Sequence, residues 1–155
     1  MTSKTVDGKA VTIKKLFSRE TSISTDISAD VSIVWALLTH AADYPRWNST
    51  IISIKGDITA GGKIKLKSTL DTKREFALQI KEFLPDNRLV WGDAMGKRIF
   101  TLKTTKPGLT HFTMSEKIGG PLFPLFSKMI PSFDQSFDQF ANDLKKEAET
   151  ISKTK

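Results

Sequence analysis

The chain has 155 residues, a formal net charge of +7 and no cysteine. That length supports one domain with a single sizeable core. The missing thiols exclude disulfides, a cysteine nucleophile and cysteine-ligated metal clusters. No stretch approaches the length of a membrane span. The positive charge comes without a zinc finger, a glycine-rich phosphate loop or another nucleic-acid motif, so it reads as a lysine-rich surface.

The opening, MTSKTVDGKAVTIKKLF, has no long apolar run and does not read as a secretory signal, so a cytoplasmic location is expected. Residues 1–18 read as a partly flexible lead-in, residues 19–150 as a single domain, and 151–155 as a flexible tail. The first strand is expected at Arg19–Ile27. Asp30 is placed to cap a helix over Val31–Leu38, with Val31, Val34, Trp35 and Leu38 on one face. A second short turn ends before Pro45, in the aromatic cluster Tyr44-Pro45-Arg46-Trp47-Asn48.

From Thr50 the apolar period becomes two. Ile52 and Ile54 share one face, followed by the turn Ala60-Gly61-Gly62. Ile64, Leu66, Ser68 and Leu70 then alternate with Lys63, Lys65 and Lys67, the pattern of a half-buried antiparallel strand. Phe76, Leu78 and Ile80 share a face, as do Leu89 and Trp91, then Phe100 and Leu102. In the last strand the inward set is Thr110, Phe112 and Met114. Gly119-Gly120-Pro121 breaks the chain. Beyond it Phe126, Ile130, Phe133, Phe137, Phe140 or Ala141, Leu144 and Ala148 recur at three and four, the stripe of a long helix starting near Pro131 after a shorter turn. The order is strand, short helices, about six strands, long helix. It predicts an α+β domain in which a curved antiparallel sheet wraps the final helix.

Alternation from Phe100 turns Arg98 inward, and alternation from Phe112 and Met114 does the same for Glu116. The two satisfy each other if their strands pair in register; otherwise both reach water at strand ends. Ser68, Thr110, Arg74 and Asn48 are further polar candidates. His40 and His111 have no metal-ligand spacing, Asp134 and Asp138 fall on the polar side of the helix, and no nucleophile motif is present. No catalytic constellation follows from spacing, and no metal or cofactor is expected.

Five segments run in order: Ile27-Ser28-Ala29-Asp30 with Val34-Trp35-Ala36-Leu37-Leu38-Thr39; Asp43-Tyr44-Pro45-Arg46-Trp47-Asn48; Gly61-Gly62 before the lysine-rich strand; Leu84-Pro85 through Arg88-Leu89-Val90-Trp91; and Gly119 to Pro121 before the last helix. Together they resemble the START-like, Bet v 1-like superfamily (SRPBCC), in its polyketide cyclase/dehydrase and lipid-transport group. The resemblance spans about residues 19–150 and implies a helix-grip fold around an apolar cavity. It carries no shared catalytic residues.

The expected function is binding or carriage of a small hydrophobic molecule: a lipid, polyketide or aromatic compound. The site residues expected from the helices and first strands are Trp35, Tyr44, Trp47, Leu66, Ser68, Phe76 and Leu78. Later strands add Trp91, Phe100, Phe112 and Met114, and the C-terminal segment adds Phe126, Ile130, Phe133 and Phe137. One alternative is a cyclase or dehydratase in which Arg98 stabilises an enolate and Glu116 moves a proton. Another is a protein- or membrane-interaction module using Lys55, Lys63, Lys65, Lys67 and Lys81, including peripheral contact with anionic membranes. Monomer and homodimer are both open.

Overall fold

The computed structural model describes residues 7–154. The first six residues of the expected lead-in and Lys155 of the expected tail lie outside them. Eight strands form one antiparallel sheet: β1 (Val11–Lys14), β2 (Ser18–Ile27), β3 (Ile51–Gly56), β4 (Lys63–Ser68), β5 (Asp71–Leu84), β6 (Arg88–Gly92), β7 (Gly96–Lys106) and β8 (Leu109–Gly119). Their spatial order is β1-β2-β8-β7-β6-β5-β4-β3. Helices α1 (Val31–Thr39) and α2 (Tyr44–Trp47), joined by a 3₁₀ turn, carry the chain from β2 to the opposite edge at β3. A one-turn helix, α3 (Phe123–Phe126), precedes the long helix α4 (Asp134–Lys153), which packs against β2, α1 and α2. The sheet is curved and open, and it wraps partly around the helices.

Local chemistry explains each element. The Asp30 carboxylate accepts from the Ser32 backbone N–H at 2.9 Å and caps α1. In β4, Ile64 and Leu66 are buried while Lys63 and Lys65 are exposed, as period two requires. Between β3 and β4, Gly61 takes φ +72°, a conformation that costs a residue with a Cβ. On α4, Phe137, Phe140, Ala141, Leu144 and Ala148 form the buried stripe. Phe140 packs against Phe100 at 5.8 Å, Trp47 at 6.0 Å and Tyr44 at 6.2 Å between ring centroids. Burying one such ring contributes about 1.5–3 kcal/mol. The Tyr44 hydroxyl donates to the Leu38 carbonyl at 2.8 Å, and full burial pushes its pKa above the usual phenol range.

Three expectations need correction. Ile52 is 40 % exposed, whereas Ile51 is 4 % exposed. A bulge between Ile51 and Ser53 shifts the β3–β4 register, so the buried pair is Ile51 and Ile54. The long helix starts at Asp134, not near Pro131; Phe126 and Ile130 lie in the turns before it and do not continue its stripe. The first strand of the chain is Val11–Lys14, paired with Arg19–Ser22 of β2. Asp138 accepts from the Ala10 N–H at 2.7 Å, and Asp134 accepts from the Thr12 hydroxyl, so these carboxylates tie the N-terminal edge strand to α4. Further along, α4 is held by Asp143 at its middle, on the N–H and hydroxyl of Ser49, both at 2.8 Å, and by Glu149 in its last turns, on the Ser28 N–H at 2.8 Å.

Candidate functional site

A cleft of about 350 Å³ opens between the sheet and the start of α4. One wall is β4 and β5, through Leu66, Ser68, Phe76 and Leu78; the floor is Trp91 and Gly92 at the end of β6. The opposite wall is the turn Met129-Ile130-Pro131 with Phe133 and Ser136. Arg98 of β7 and Glu116 of β8 form its polar end. These two residues are direct cross-strand partners, and the Arg98 Nε donates to Glu116 Oε1 at 3.1 Å. The pair is sheltered, with 10 % of the Arg98 side chain and 19 % of that of Glu116 exposed. The guanidinium also lies over the rings of Phe137 and Phe140, at 4.9 Å and 5.9 Å. Arg74 stacks on Phe76 at 4.7 Å at the outer part of the cleft. Ser68 Oγ accepts from the Leu70 N–H at 3.2 Å.

Arg19 is the residue that sequence reasoning missed. It is buried, with its guanidinium 4.8 Å from the centre of the Phe133 ring. It donates to the Ile130 carbonyl at 3.2 Å and the Pro131 carbonyl at 2.8 Å. Burial lowers its pKa from the ordinary arginine value, opposed by the nearby charges of Glu116 and Asp134. Arg19 thereby fixes the turn that makes one wall of the cleft. The signal was present in the sequence: Arg19 falls four and eight residues before Ile23 and Ile27, on the inward face of β2.

Of the expected site residues, Leu66, Ser68, Phe76, Leu78, Trp91, Ile130, Phe133, Arg98 and Glu116 meet at the cleft. The rest lie elsewhere. Tyr44, Phe100, Phe112, Met114 and Phe137 are fully buried core, Trp35 packs edge-on against Phe83 at 5.2 Å, and Trp47 joins Tyr44 and Phe140. Phe126 packs edge-on against Phe123 at 5.8 Å. Thr110 donates to the Ala29 carbonyl at 2.8 Å, a structural bond at the head of α1. Asn48 accepts from the Thr50 N–H and hydroxyl, closing a turn. His111 pairs with Asp26 at an exposed site, 2.8 Å apart. Among the described residues no group of three or more His, Asp or Glu is arranged to hold a metal ion.

A curved antiparallel sheet, two short helices after the second strand, a long C-terminal helix and a cleft between them define a START-like, helix-grip protein. Within that superfamily, the chain belongs to the family described as Activator of Hsp90 ATPase homolog 1-like protein, which matches residues 28–149. Solved structures agree on the fold. A conserved protein of unknown function from Enterococcus faecalis superposes with a TM-score of 0.68 at 18 % identity, covering 92 % of this chain and 78 % of that one. A START superfamily protein from Mycobacterium smegmatis gives 0.63 at 13 % identity, over 85 % of this chain and 98 % of that one. DynU16, described as a protein in the dynemicin biosynthetic locus, gives 0.62 at 16 % identity, over 86 % of this chain and 48 % of that one. No curated protein matches the chain.

Proposed function

We propose that this protein binds a small hydrophobic molecule in the cleft between β4–β7 and the start of α4. The observation that carries the reading is the composition of that cleft. Its walls are Leu66, Phe76, Leu78, Trp91, Ile130 and Phe133, and among the described residues that line it the sheltered charges are the paired Arg98 and Glu116. Its volume of about 350 Å³ falls at the lower end of the range for small-molecule pockets and suits an aromatic compound of two or three rings or a medium-length acyl chain. Removing ~250 Å² of apolar ligand surface from water contributes about 6 kcal/mol before the entropic cost of association. The Arg98–Glu116 pair then orients a polar end of the ligand.

Native mass spectrometry of protein purified without added ligand, followed by organic extraction, tests this. The expected result is a stoichiometric hydrophobic passenger. An empty protein that gains no thermal stability from a library of lipids and aromatic compounds would sink the reading.

The adjacency of Arg98 and Glu116 at the cleft favours one second reading, a cyclase or dehydratase acting on a polyketide-like or aromatic substrate. There Arg98 stabilises an enolate and Glu116 transfers the proton. That reading is to be abandoned if Arg98→Ala and Glu116→Ala leave turnover of every extracted passenger unchanged.

A further inference from the structure

The rim of the cleft differs from the rest of the surface. Nine large apolar side chains are exposed among the described residues, and six of them, Leu16, Phe17, Met95, Leu122, Leu125 and Met129, gather at this end. Backbone bonds bring their segments together: the Gly120 N–H donates to the Phe17 carbonyl and the Gly119 N–H to the Met95 carbonyl, both at 3.0 Å. Met95 and Met129 both line the cleft. The ridge is built outward on purpose-shaped local structure. Phe123 is buried and holds the base of α3, Phe126 packs on it, and Leu122 and Leu125 are left pointing away from the core. Leu125 is 80 % exposed and Met129 82 %. An apolar cluster of this kind marks a contact surface.

Lysines frame the cluster. Lys14 and Lys15 precede Leu16 and Phe17, Lys128 precedes Met129, and Lys97 follows Met95 and Gly96. Lys97 is the direct cross-strand partner of Lys117, an arrangement of like charges that costs stability. None of these five lysines is in an ion pair among the described residues. The carboxylates nearby are Glu20, across from Lys117; Asp93, engaged by the N–H groups of Met95 and Gly96; Glu116, paired with Arg98; Asp134, which accepts from Thr12; and Asp71, which lines the cleft. The rim is therefore apolar at its centre and cationic around it.

We propose that this rim docks on an anionic lipid surface, with Leu122, Leu125 and Met129 entering the headgroup region and the five lysines at the level of the phosphates. A two-fold contact with a second copy would press the two cationic rims together. Nucleic acid offers nothing for the leucines and methionine to bury. An anionic bilayer satisfies both halves of the surface. The docking rests on the cleft reading for its purpose, since it sets the mouth of a hydrophobic site against lipid. It also moves the membrane contact away from the lysines of β3 and β4, where Lys55 is already paired with Glu75 at 3.2 Å.

Co-sedimentation of the full chain with phosphatidylcholine vesicles, with and without about 30 mol % phosphatidylglycerol, tests the proposal. The expected result is binding to the anionic vesicles that weakens with salt. Leu122→Glu with Leu125→Glu weakens it at least about tenfold, and so does Lys97→Glu with Lys117→Glu, because each lysine near the surface contributes about fivefold. These side chains are exposed, so thermal unfolding checks that the variants stay folded. Absence of binding at low salt overturns the proposal. So does a larger loss from Lys63→Glu with Lys65→Glu than from the rim variants. A dimer in solution that Leu122→Glu with Leu125→Glu dissociates, without vesicle binding, overturns it in favour of a second copy. A dansyl-labelled fatty acid added without vesicles reports the cleft separately. An inert cleft then counts against the ligand reading, and missing vesicle binding counts against the docking.

Discussion

Removing the Glu116 carboxylate isolates the energetics of the cleft's polar end. In Glu116→Ala the Arg98 guanidinium stays almost fully sheltered but loses its partner at 3.1 Å. Breaking a fully buried pair costs roughly 3–5 kcal/mol, and breaking an exposed one about 0–1 kcal/mol. With 10 % and 19 % of the two side chains exposed, this pair lies between those limits. The rings at 4.9 Å and 5.9 Å remain under the cation and offset part of the loss. The expected destabilisation is about 2 kcal/mol, which for a chain of this length lowers Tm by roughly 4–8 °C. Replacing both partners by apolar residues, Arg98→Met with Glu116→Leu, removes both desolvation penalties and is expected within about 1 kcal/mol of wild type. Urea unfolding of the wild type, both single variants and the double variant gives the coupling directly, provided the m-value is constant. A cost below about 0.5 kcal/mol for Glu116→Ala, or a double variant as unstable as the sum of the singles, would refute the argument that this charge is held in a dry site.

Phe140→Ala removes a fully buried ring that touches Tyr44, Trp47 and Phe100; it is expected to cost about 3–5 kcal/mol in urea unfolding, and a loss under about 1.5 kcal/mol would place the core elsewhere. Gly92→Ala drives a methyl group into the Gly96 carbonyl and to 2.8 Å from the Lys97 Cα, both backbone of the facing strand, so a loss above about 2 kcal/mol is expected in the same assay. The Asp43 carboxyl is held below its ordinary range chiefly by its hydrogen bond from Arg46, which also bonds Glu147 at 2.8 Å. Its folded pKa is depressed, so its contribution is present above the unfolded value near 3.9 and is lost as pH falls through the folded value. The Tm difference between wild type and Asp43→Asn is therefore expected to be constant near neutrality and to shrink below about pH 4; a difference that grows on acidification contradicts this.

Outside β3, the inward face of the sheet strands was readable because period two is a local property. Arg98 and Glu116 were turned inward from the sequence, and the β7–β8 register makes them partners. Depth within that face was not readable. Phe100 and Leu66 both point inward, yet Phe100 meets Phe140 of α4 while Leu66 meets the cleft, and only the placement of α4 separates them. The β3 bulge reversed the assignment of Ile51 and Ile52 because one extra residue exchanges the two faces. Val11–Lys14 became a strand through its pairing with β2, the bond of Thr12 to Asp134 and the bond of the preceding Ala10 to Asp138, the two aspartates lying more than 120 residues away in sequence. Arg19 was passed over because a charged residue at the start of a strand ordinarily reaches water; here two backbone carbonyls and the Phe133 ring hold it inside.

The central claim is that the cleft accepts a hydrophobic molecule, and an amide-resolved NMR titration with laurate and with anilinonaphthalene sulfonate tests it most directly. The account predicts saturable shifts at one equivalent, concentrated on Ser68, Leu78, Gly92, Arg98 and Ser136, which surround the cleft. Shifts that never saturate, or that fall on the outer lysines of β4 and leave those five amides unmoved, would contradict it.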